Sequence, residues 1–267
     1  MGPAQKKLLR WAGSKSSVAA RLEKHIDFSR NYVEPFAGSA VMFFNNLPRK
    51  ASLNDLNPHL ISLYQDVQHD PRYVWSIYNR FEISRDSYNE CRKEFNSTRK
   101  SKKKSALFLF LNHFCFNGIY RTNQRGHFNT PYGGKKLKLK LTLDELLHIS
   151  DLIKNVQFSS LDFETFLKQY RPEGSCIYID PPYFTNEARV FREYGPGIFC
   201  AGDLKRLFVM CEQLSKENNK IVVSYRDCKE FMELFGSFVV DRFNVTRNIG
   251  GFQDRRKIQQ ELIAVFE

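Results

Sequence analysis

The chain has 267 residues, a formal net charge of +12 at pH 7 and a pI near 9.4. This length suits one sizeable domain with an insertion. The charge favours a polyanionic partner such as nucleic acid, with a merely solvated lysine surface as the alternative. The sequence has no run of roughly 18 apolar residues for a membrane span, no apolar stretch behind its basic start and no zinc spacing among its six cysteines. We therefore expect a cytoplasmic protein with no membrane partner and no metal.

Strand and helix patterns alternate through most of the chain. Strands are predicted where short apolar runs rich in β-branched and aromatic residues occur, at 31–33, 51–53, 156–158, 176–179 and 221–224. Two longer runs, 238–245 and 260–266, predict a closing antiparallel hairpin. Such alternation is typical of an α/β fold, in which helices cover both faces of a parallel sheet.

One region interrupts this alternation. Residues 65–147 have a helical and strongly basic pattern, which predicts an inserted domain between two parts of a larger one, 1–64 and 148–267. Within the insertion, residues 128–140 carry the turn-forming residues Pro131, Gly133 and Gly134 between flanks that predict a β-hairpin. The apolar run 108–116 fits either the core of a helical lobe or part of a recognition surface.

Two motifs indicate a nucleoside cofactor. The segment Tyr32 to Ala40 is a strand followed by a turn of small residues, which lets the backbone approach a ligand at the carboxyl end of the first strand. Asp55 follows the next strand, about twenty residues further on, where a carboxylate reaches ribose hydroxyls. The alternatives are an ordinary tight turn for the first motif and a helix cap for Asp55.

The most specific motif is Asp180-Pro181-Pro182-Tyr183, which ends an apolar strand. The prolines stiffen the turn and remove two backbone donors, so that acceptors dominate. The Asp180 carboxylate and the Pro181 carbonyl can hold both hydrogens of an aromatic amine such as adenine N6, while Tyr183 stacks on the base. A rigid proline turn with a capping acid is the alternative.

In the order of its motifs the chain resembles the Dam-type DNA adenine N6-methyltransferases, the α group of the D12 class. Leu9 to Lys15 is similar to the family's amino-terminal motif, with Ser14 in place of a second glycine. The resemblance implies a Rossmann-like S-adenosylmethionine-dependent methyltransferase sheet and S-adenosylhomocysteine as product. It implies these cofactor-binding residues: Trp11, Ala12, Gly13, Lys15, Glu34, Pro35, Phe36, Gly38, Asp55, Asp162 and Asp180.

Residues 111–133 resemble the target-recognition segment of the same family. The Arg121 guanidinium can donate two hydrogen bonds, to guanine O6 and N7. Asn117 can form hydrogen bonds with a base edge, and Ile119 can contact a thymine methyl group. Phe116 can fill the space that a flipped adenine leaves. The full predicted DNA-binding set is Arg10, Phe116, Asn117, Ile119, Arg121, Asn129, Lys135, Lys136 and Lys138, the lysines being suited to phosphates.

The sequence thus predicts a site-specific enzyme that methylates a flipped adenine in double-stranded DNA, at a site containing GAT, with GATC as the leading candidate. We expect a DNA-associated monomer and consider a restriction endonuclease as a partner. An RNA adenine methyltransferase and an inactive DNA-binding relative stay open as alternatives. Two departures from the family pattern are Ser224-Tyr225-Arg226, which we expect to border the flipped base, and Gln260-Glu261-Leu262, which we expect to matter only to the sheet.

Overall fold

The computed structural model describes residues 7–134, 139–183, 199–248 and 256–267. Its sheet has seven strands: β1 Tyr32–Glu34, β2 Ala51–Asn54, β3 Gln157–Ser159, β4 Cys176–Ile179, β5 Lys220–Arg226, β6 Val239–Asn248 and β7 Arg256–Phe266. The order across the sheet is β3-β2-β1-β4-β5-β7-β6. The first five strands are parallel, and β7 lies antiparallel between β5 and β6. This topology confirms the predicted Rossmann-like α/β fold and its terminal hairpin.

The helices begin where the sequence supplies caps. They are α1 Ala19–Leu22, α2 Val41–Asn46, α3 Pro58–His69, α4 Pro71–Arg80, α5 Arg85–Ser97, α6 Lys102–Phe114, α7 Leu143–Leu152, α8 Phe163–Tyr170, α9 Ala201–Ser215 and α10 Lys229–Phe235. Asn57 and Asp70 accept backbone N–H groups at the starts of α3 and α4, each followed by a proline in the first helical turn. No helix in the described ranges is long and apolar enough to cross a membrane.

The sheet separates two layers of hydrophobic core. Successive side chains of a strand point to opposite faces, so Tyr32 and Tyr178 join one cluster while Val33 and Ile177 join the other. Burial of both faces explains why these strands read as continuous apolar runs. Because β2, β1 and β4 are adjacent and parallel, their carboxyl ends lie side by side at one edge of the sheet.

The insertion is organised around α6. This helix is buried on nearly all sides, including Phe108, Phe110 and Phe114, and it packs against α3, α4 and α5. The inner aromatics of 108–116 are therefore core residues. Their cluster is continuous with the first core layer of the sheet. The predicted boundaries at 64/65 and 147/148 fall inside α3 and α7, and the division into domains stays a prediction.

The hairpin predicted over 128–140 pairs differently from our expectation. Phe128 and Tyr132 form antiparallel bridges with the upstream residues Thr122 and Cys115. The turn lies at 123–127, where the Asn123 carboxamide oxygen accepts the backbone N–H groups of residues 125 and 127. Sequence reasoning overlooked this side-chain-nucleated turn and placed the reversal at Pro131 to Gly134 instead. Residues 135–138 lie outside the described ranges.

Candidate active site

The predicted motifs meet at the carboxyl edge of three adjacent strands. Residues 35–38 follow β1, which ends at Glu34, while Asp55 follows β2 and Asp180 follows β4, in the spatial order β2-β1-β4. Lys15 comes from a 3-10 turn, Lys15–Ser17, that lies against this edge. Open α/β sheets bind ligands at such an edge, so the topology assembles one candidate site from segments far apart in sequence.

A hydrogen bond joins Gly38, in the loop that follows β1, to Asp55, which follows β2. The Gly38 N–H donates to Asp55 Oδ2 at 2.9 Å, and Asp55 Oδ1 accepts the Asn57 N–H at 2.9 Å. Gly38 has φ +49°, and a Cβ there would lie 2.9 Å from Trp11 Cδ1. Both the backbone angle and the indole therefore require glycine. The Tyr64 hydroxyl donates to the Gly38 carbonyl at 3.1 Å, which stabilises the turn further.

A buried amide that sequence reasoning missed ties this loop to the next one. The Asn54 carboxamide donates to the carbonyls of Pro35 at 3.0 Å and Leu161 at 2.9 Å, and accepts the Leu161 N–H at 3.0 Å. These bonds hold together the loops that follow β1 and β3. A polar residue at the last position of a buried strand is the signal that could have revealed it, because such a group must find partners.

Two buried carboxyl groups of this edge have raised pKa values. Burial raises the pKa of Asp55 to about 6, although the backbone N–H groups of Asn57 and Gly38 oppose the shift. Burial also raises the pKa of Glu34 well above its ordinary value, against the hydrogen bond that the Tyr32 hydroxyl donates at 3.0 Å. Asp55 is thus a carboxylate at neutral pH that gains a proton under mildly acidic conditions.

Among the described residues, the groups that hold the Asp180 carboxylate contact one of its two oxygens. Lys15 Nζ lies 2.9 Å from Asp180 Oδ1, and the Ser224 hydroxyl donates to the same oxygen at 3.1 Å. The Ser224 hydroxyl also lies 3.0 Å from the Tyr178 hydroxyl. Across the part of the chain that the structure describes, no protein group donates to Oδ2. The second carboxylate oxygen is therefore the one that can accept a hydrogen from a substrate.

Lys15 is a buried, fixed cation, with 6% of its surface exposed. Burial alone would lower the pKa of Lys15, but Asp180, Tyr183 and Glu261 outweigh this effect, so that the pKa lies above its usual value. Burial raises the pKa of Asp180, and Lys15 opposes that shift. The lysine thus favours the charged form of the carboxylate that faces the site.

Tyr183 is oriented through both its hydroxyl and its ring. Lys15 Nζ donates to the hydroxyl at 2.7 Å, and the hydroxyl donates to Glu261 Oε1 at 3.0 Å. The ring stands edge-on to Tyr225, with centroids 5.1 Å apart and planes at 82°. Between Asp180 and Tyr183, Pro181 is buried and Pro182 half-buried. The structure thus brings together the residues of the predicted catalytic loop with Lys15.

Two residues of the carboxyl-terminal half contact the predicted catalytic loop. Glu261 was expected to matter only to the sheet, and this is wrong because its buried carboxylate reaches the Tyr183 hydroxyl and lies 3.6 Å from Lys15 Nζ. Ser224 contacts Asp180 directly. An acid beside the apolar run that ends β7 is a signal that such a group has a buried partner.

Asp162 and Phe36 stand beside α8. The Asp162 carboxylate caps α8 by accepting the N–H of Glu164 at 3.1 Å, and Arg206 Nη2 donates to the same oxygen at 2.7 Å. Phe36 packs on Phe163 with ring centroids 5.3 Å apart. The assignment of Asp162 to a cofactor therefore stays a prediction beside a clear structural role as a cap.

The predicted DNA-binding residues gather where α6 ends. Phe116 is 38% exposed, and Asn117 adopts φ +54°, an unusual angle for a residue other than glycine. Arg121 Nε donates to Asn129 Oδ1 at 2.9 Å, so Asn129 orients the guanidinium. Arg10 Nη1 donates to the His113 carbonyl at 2.8 Å. Ile119 is half-buried beside them, while Lys135, Lys136 and Lys138 lie outside the described residues.

Comparisons with known proteins identify the family of the chain. A family model described as D12 class N6 adenine-specific DNA methyltransferase matches residues 11–249. The type II methyltransferase M.MjaIII of Methanocaldococcus jannaschii is 30% identical over 276 residues, 94% of this chain and 95% of the relative. The retron Ec67 DNA adenine methylase of Escherichia coli is 31% identical over 268 residues, 97% of this chain and 90% of the relative.

A DNA adenine methylase of Haemophilus influenzae is 30% identical over 267 residues, which cover 97% of this chain and 92% of that protein. Membership of such a family implies DNA as substrate and a methyl donor of the S-adenosylmethionine type. It also confirms the prediction of an adenine-specific DNA methyltransferase. The chain belongs to the D12 class of N6 adenine-specific DNA methyltransferases.

Proposed function

We propose that this enzyme transfers the methyl group of S-adenosylmethionine to N6 of an adenine flipped out of duplex DNA, at a site containing GAT, with GATC as the first sequence to test. The observation that carries the proposal is the one-sided hold on Asp180. Lys15 and Ser224 both contact Oδ1, which leaves Oδ2 for the amine. The monomeric state and a restriction endonuclease partner stay predictions.

The residues of the first loop fit the cofactor. Gly38 packs against the Trp11 indole in the turn at the carboxyl end of β1, so these two residues would line the cofactor pocket together. The Asp55 carboxylate, at the end of β2, can accept hydrogen bonds from ribose hydroxyls. Trp11, Lys15, Glu34, Gly38 and Asp55 would hold S-adenosylmethionine. When bound, it supplies an electrophilic methyl group on a positively charged sulfur.

Asp180 would act on the nucleophile. Adenine N6 is a weak nucleophile because its lone pair is delocalised into the ring. Hydrogen bonds from its two N–H groups to Asp180 Oδ2 and to the Pro181 carbonyl would draw the nitrogen toward tetrahedral geometry. The lone pair would then be available to attack the methyl group. Lys15 and Ser224 fix the carboxylate before the base arrives, so no reorganisation is needed at the moment of reaction.

Access to N6 requires the base to leave the helix, because a stacked and paired adenine cannot enter a pocket at the sheet edge. Phe116 is an exposed aromatic residue beside the strained Asn117 and can occupy the vacated space. Arg121, oriented by Asn129, can reach a guanine edge in the major groove. A net charge of +12 supports binding to the phosphates.

The proposal can be tested with methyl-tritiated S-adenosylmethionine and three polymers: a duplex with one GATC, the same duplex with GTAC in that place, and RNA of the GATC sequence. We expect label only in the GATC duplex, recovered as N6-methyladenine. Equal label in the GTAC duplex would contradict the assigned site. Label in RNA would favour the RNA enzyme, and tight DNA retention without label in any polymer would favour an inactive relative.

A further inference from the structure

Glu261 is a buried acid on the inner strand β7. It lies opposite Arg226 of β5 and Phe243 of β6, and only 1% of its surface is exposed. The alternation of the strand places it on the same face as Ile263, in the core layer that contains Tyr32 and Tyr178. A carboxylate in such surroundings is stable only when polar groups compensate for its lost hydration.

The compensating groups belong to the catalytic cluster. Glu261 Oε1 accepts the Tyr183 hydroxyl at 3.0 Å, and Glu261 Oε2 lies 3.6 Å from Lys15 Nζ. The Tyr183 hydroxyl also accepts a hydrogen bond from Lys15 at 2.7 Å. One hydroxyl is therefore anchored from two sides by groups that are themselves buried. Its ring stands edge-on to Tyr225, which restricts rotation further.

We propose that Glu261 is a positioning residue for adenine methylation: it holds Tyr183 by the hydroxyl so that the ring receives the flipped base beside Asp180. Glu261 lies 78 residues from Tyr183 along the chain, in a segment from which the sequence predicted only a role in the sheet. The inference rests on the proposed function, because it requires an adenine that leaves the duplex and stacks on Tyr183.

A double-mutant cycle tests this role. Glu261→Leu removes the acceptor, Glu261→Gln keeps an acceptor oxygen of the same shape, and Tyr183→Phe removes the hydroxyl but keeps the ring. We expect Glu261→Leu and Tyr183→Phe each to lower kcat about tenfold, the loss expected when one hydrogen bond near a reacting group is removed. Glu261→Gln should retain most of the rate. In the Tyr183→Phe background, Glu261→Leu should cost less than about threefold, because the shared bond is already gone.

Two further measurements separate positioning from a merely structural effect. With 2-aminopurine at the target adenine, Glu261→Leu should reduce the fluorescence change on binding, while the Kd for duplex DNA stays within about threefold. Glu267→Gln serves as the matched control, because Glu267 stands at the end of the same strand and pairs with Lys220. This control should leave kcat and the fluorescence change unaltered.

Several outcomes would overturn the inference. The first is a fall in kcat on Glu261→Leu that is as large in the Tyr183→Phe background as in the wild type. The second is a 2-aminopurine fluorescence change that Glu261→Leu leaves unaltered. The third is a wild-type kcat for Tyr183→Phe itself. Tyr183→Phe keeps the proposal testable even if Glu261→Leu does not fold. Absence of adenine methylation by the wild-type protein would contradict the proposed function, whereas normal methylation with independent variants would contradict only the role of Glu261.

Discussion

Asn112 binds both backbone polar groups of Arg10. Its carboxamide Nδ2 donates to the Arg10 carbonyl at 2.6 Å, and its Oδ1 accepts the Arg10 N–H at 2.9 Å. Asn112 lies on α6 of the insertion, four residues before Phe116, whereas Arg10 leads directly into Trp11 and Lys15. One buried amide thus joins the segment expected to read DNA to the segment expected to hold the cofactor.

Replacement of this amide should destabilise the protein. Asn112→Leu has a similar volume but leaves the Arg10 N–H and carbonyl without these partners, which should lower the free energy of unfolding by about 1–3 kcal/mol. Urea unfolding followed by far-UV circular dichroism measures the change. Asn79→Leu is the control, because Asn79 is an exposed residue of α4. Equal stabilities of the two variants would show that the amide contributes nothing.

Gly118 should not tolerate a methyl group. It has φ +67°, and a Cβ there would lie 2.8 Å from Arg10 Cβ and 3.0 Å from the Arg10 carbonyl oxygen. Gly126 has a similar φ of +75° but open space around it. Both alanine variants carry the backbone strain of about 1 kcal/mol, so only the contact with Arg10 distinguishes them.

We therefore expect Gly118→Ala to weaken binding to the recognised duplex at least tenfold more than Gly126→Ala does, because the turn at Gly118 and Arg10 must move apart. Fluorescence anisotropy with a labelled oligonucleotide measures both. Similar affinities for the two variants would mean that the fit between Gly118 and Arg10 is irrelevant to DNA binding.

Cofactor affinity should depend on pH through Asp55. Its pKa of about 6 lies above the ordinary value, so the carboxylate is present above pH 6 and the neutral acid below it. Because ribose hydroxyls need the carboxylate as acceptor, the Kd for S-adenosylmethionine should rise about tenfold per pH unit below 6. Calorimetric titration from pH 5 to 8 measures this. Asp55→Asn should bind weakly with a flat profile, while Asp227→Asn, the control, should follow the wild type.

The same group makes a separate contribution to stability. Folding raises the pKa of Asp55, so the folded chain without ligand binds this proton more tightly than the unfolded chain does. Its contribution is therefore fully present below about pH 4 and is lost as the pH rises through about 6. Relative to wild type, Asp55→Asn should gain stability above pH 6. The pH dependence of the urea midpoint checks this sign, and a gain confined to acid would contradict it.

Arg121 should set discrimination at one base pair. Arg121→Ala should relax the preference for one guanine by about 1–3 kcal/mol. Asn129→Ala should relax it less, because Asn129 only orients the guanidinium. Arg125→Ala, in the neighbouring exposed turn, is the control. Sequencing of methylated DNA from a randomised duplex library measures the preference, and an unchanged site for Arg121→Ala would remove Arg121 from the recognition set.

The central strands β4 and β5 were predictable because each contains a continuous apolar run between polar turns. Asp180 and Asp55 were predictable for a related reason, since a polar residue after a buried parallel strand must lie at the carboxyl edge. Asn54, Asn112 and Glu261 were not. Their partners are 19, 102 and 78 residues away, and no local pattern states which distant group will satisfy a buried polar side chain.

The reversal in the insertion shows a second limit. Pro131, Gly133 and Gly134 outweighed Asn123 in the sequence prediction, although the asparagine carboxamide closes the turn at 123–127 by accepting two backbone N–H groups. The positive charge of the insertion was ambiguous in the same way. Lys102 pairs with Asp70 and Lys103 with Glu94, so part of this charge stabilises the insertion itself.

The account depends above all on Asp180 as the acceptor that activates the target amine. Single-turnover methylation of a GATC duplex by Asp180→Asn tests it most directly, with Asp227→Asn as control. We expect the rate to fall by about 10²–10³ or more, while the Kd values for S-adenosylmethionine and duplex DNA stay within about threefold. Transfer at a rate close to that of the wild type would contradict the account.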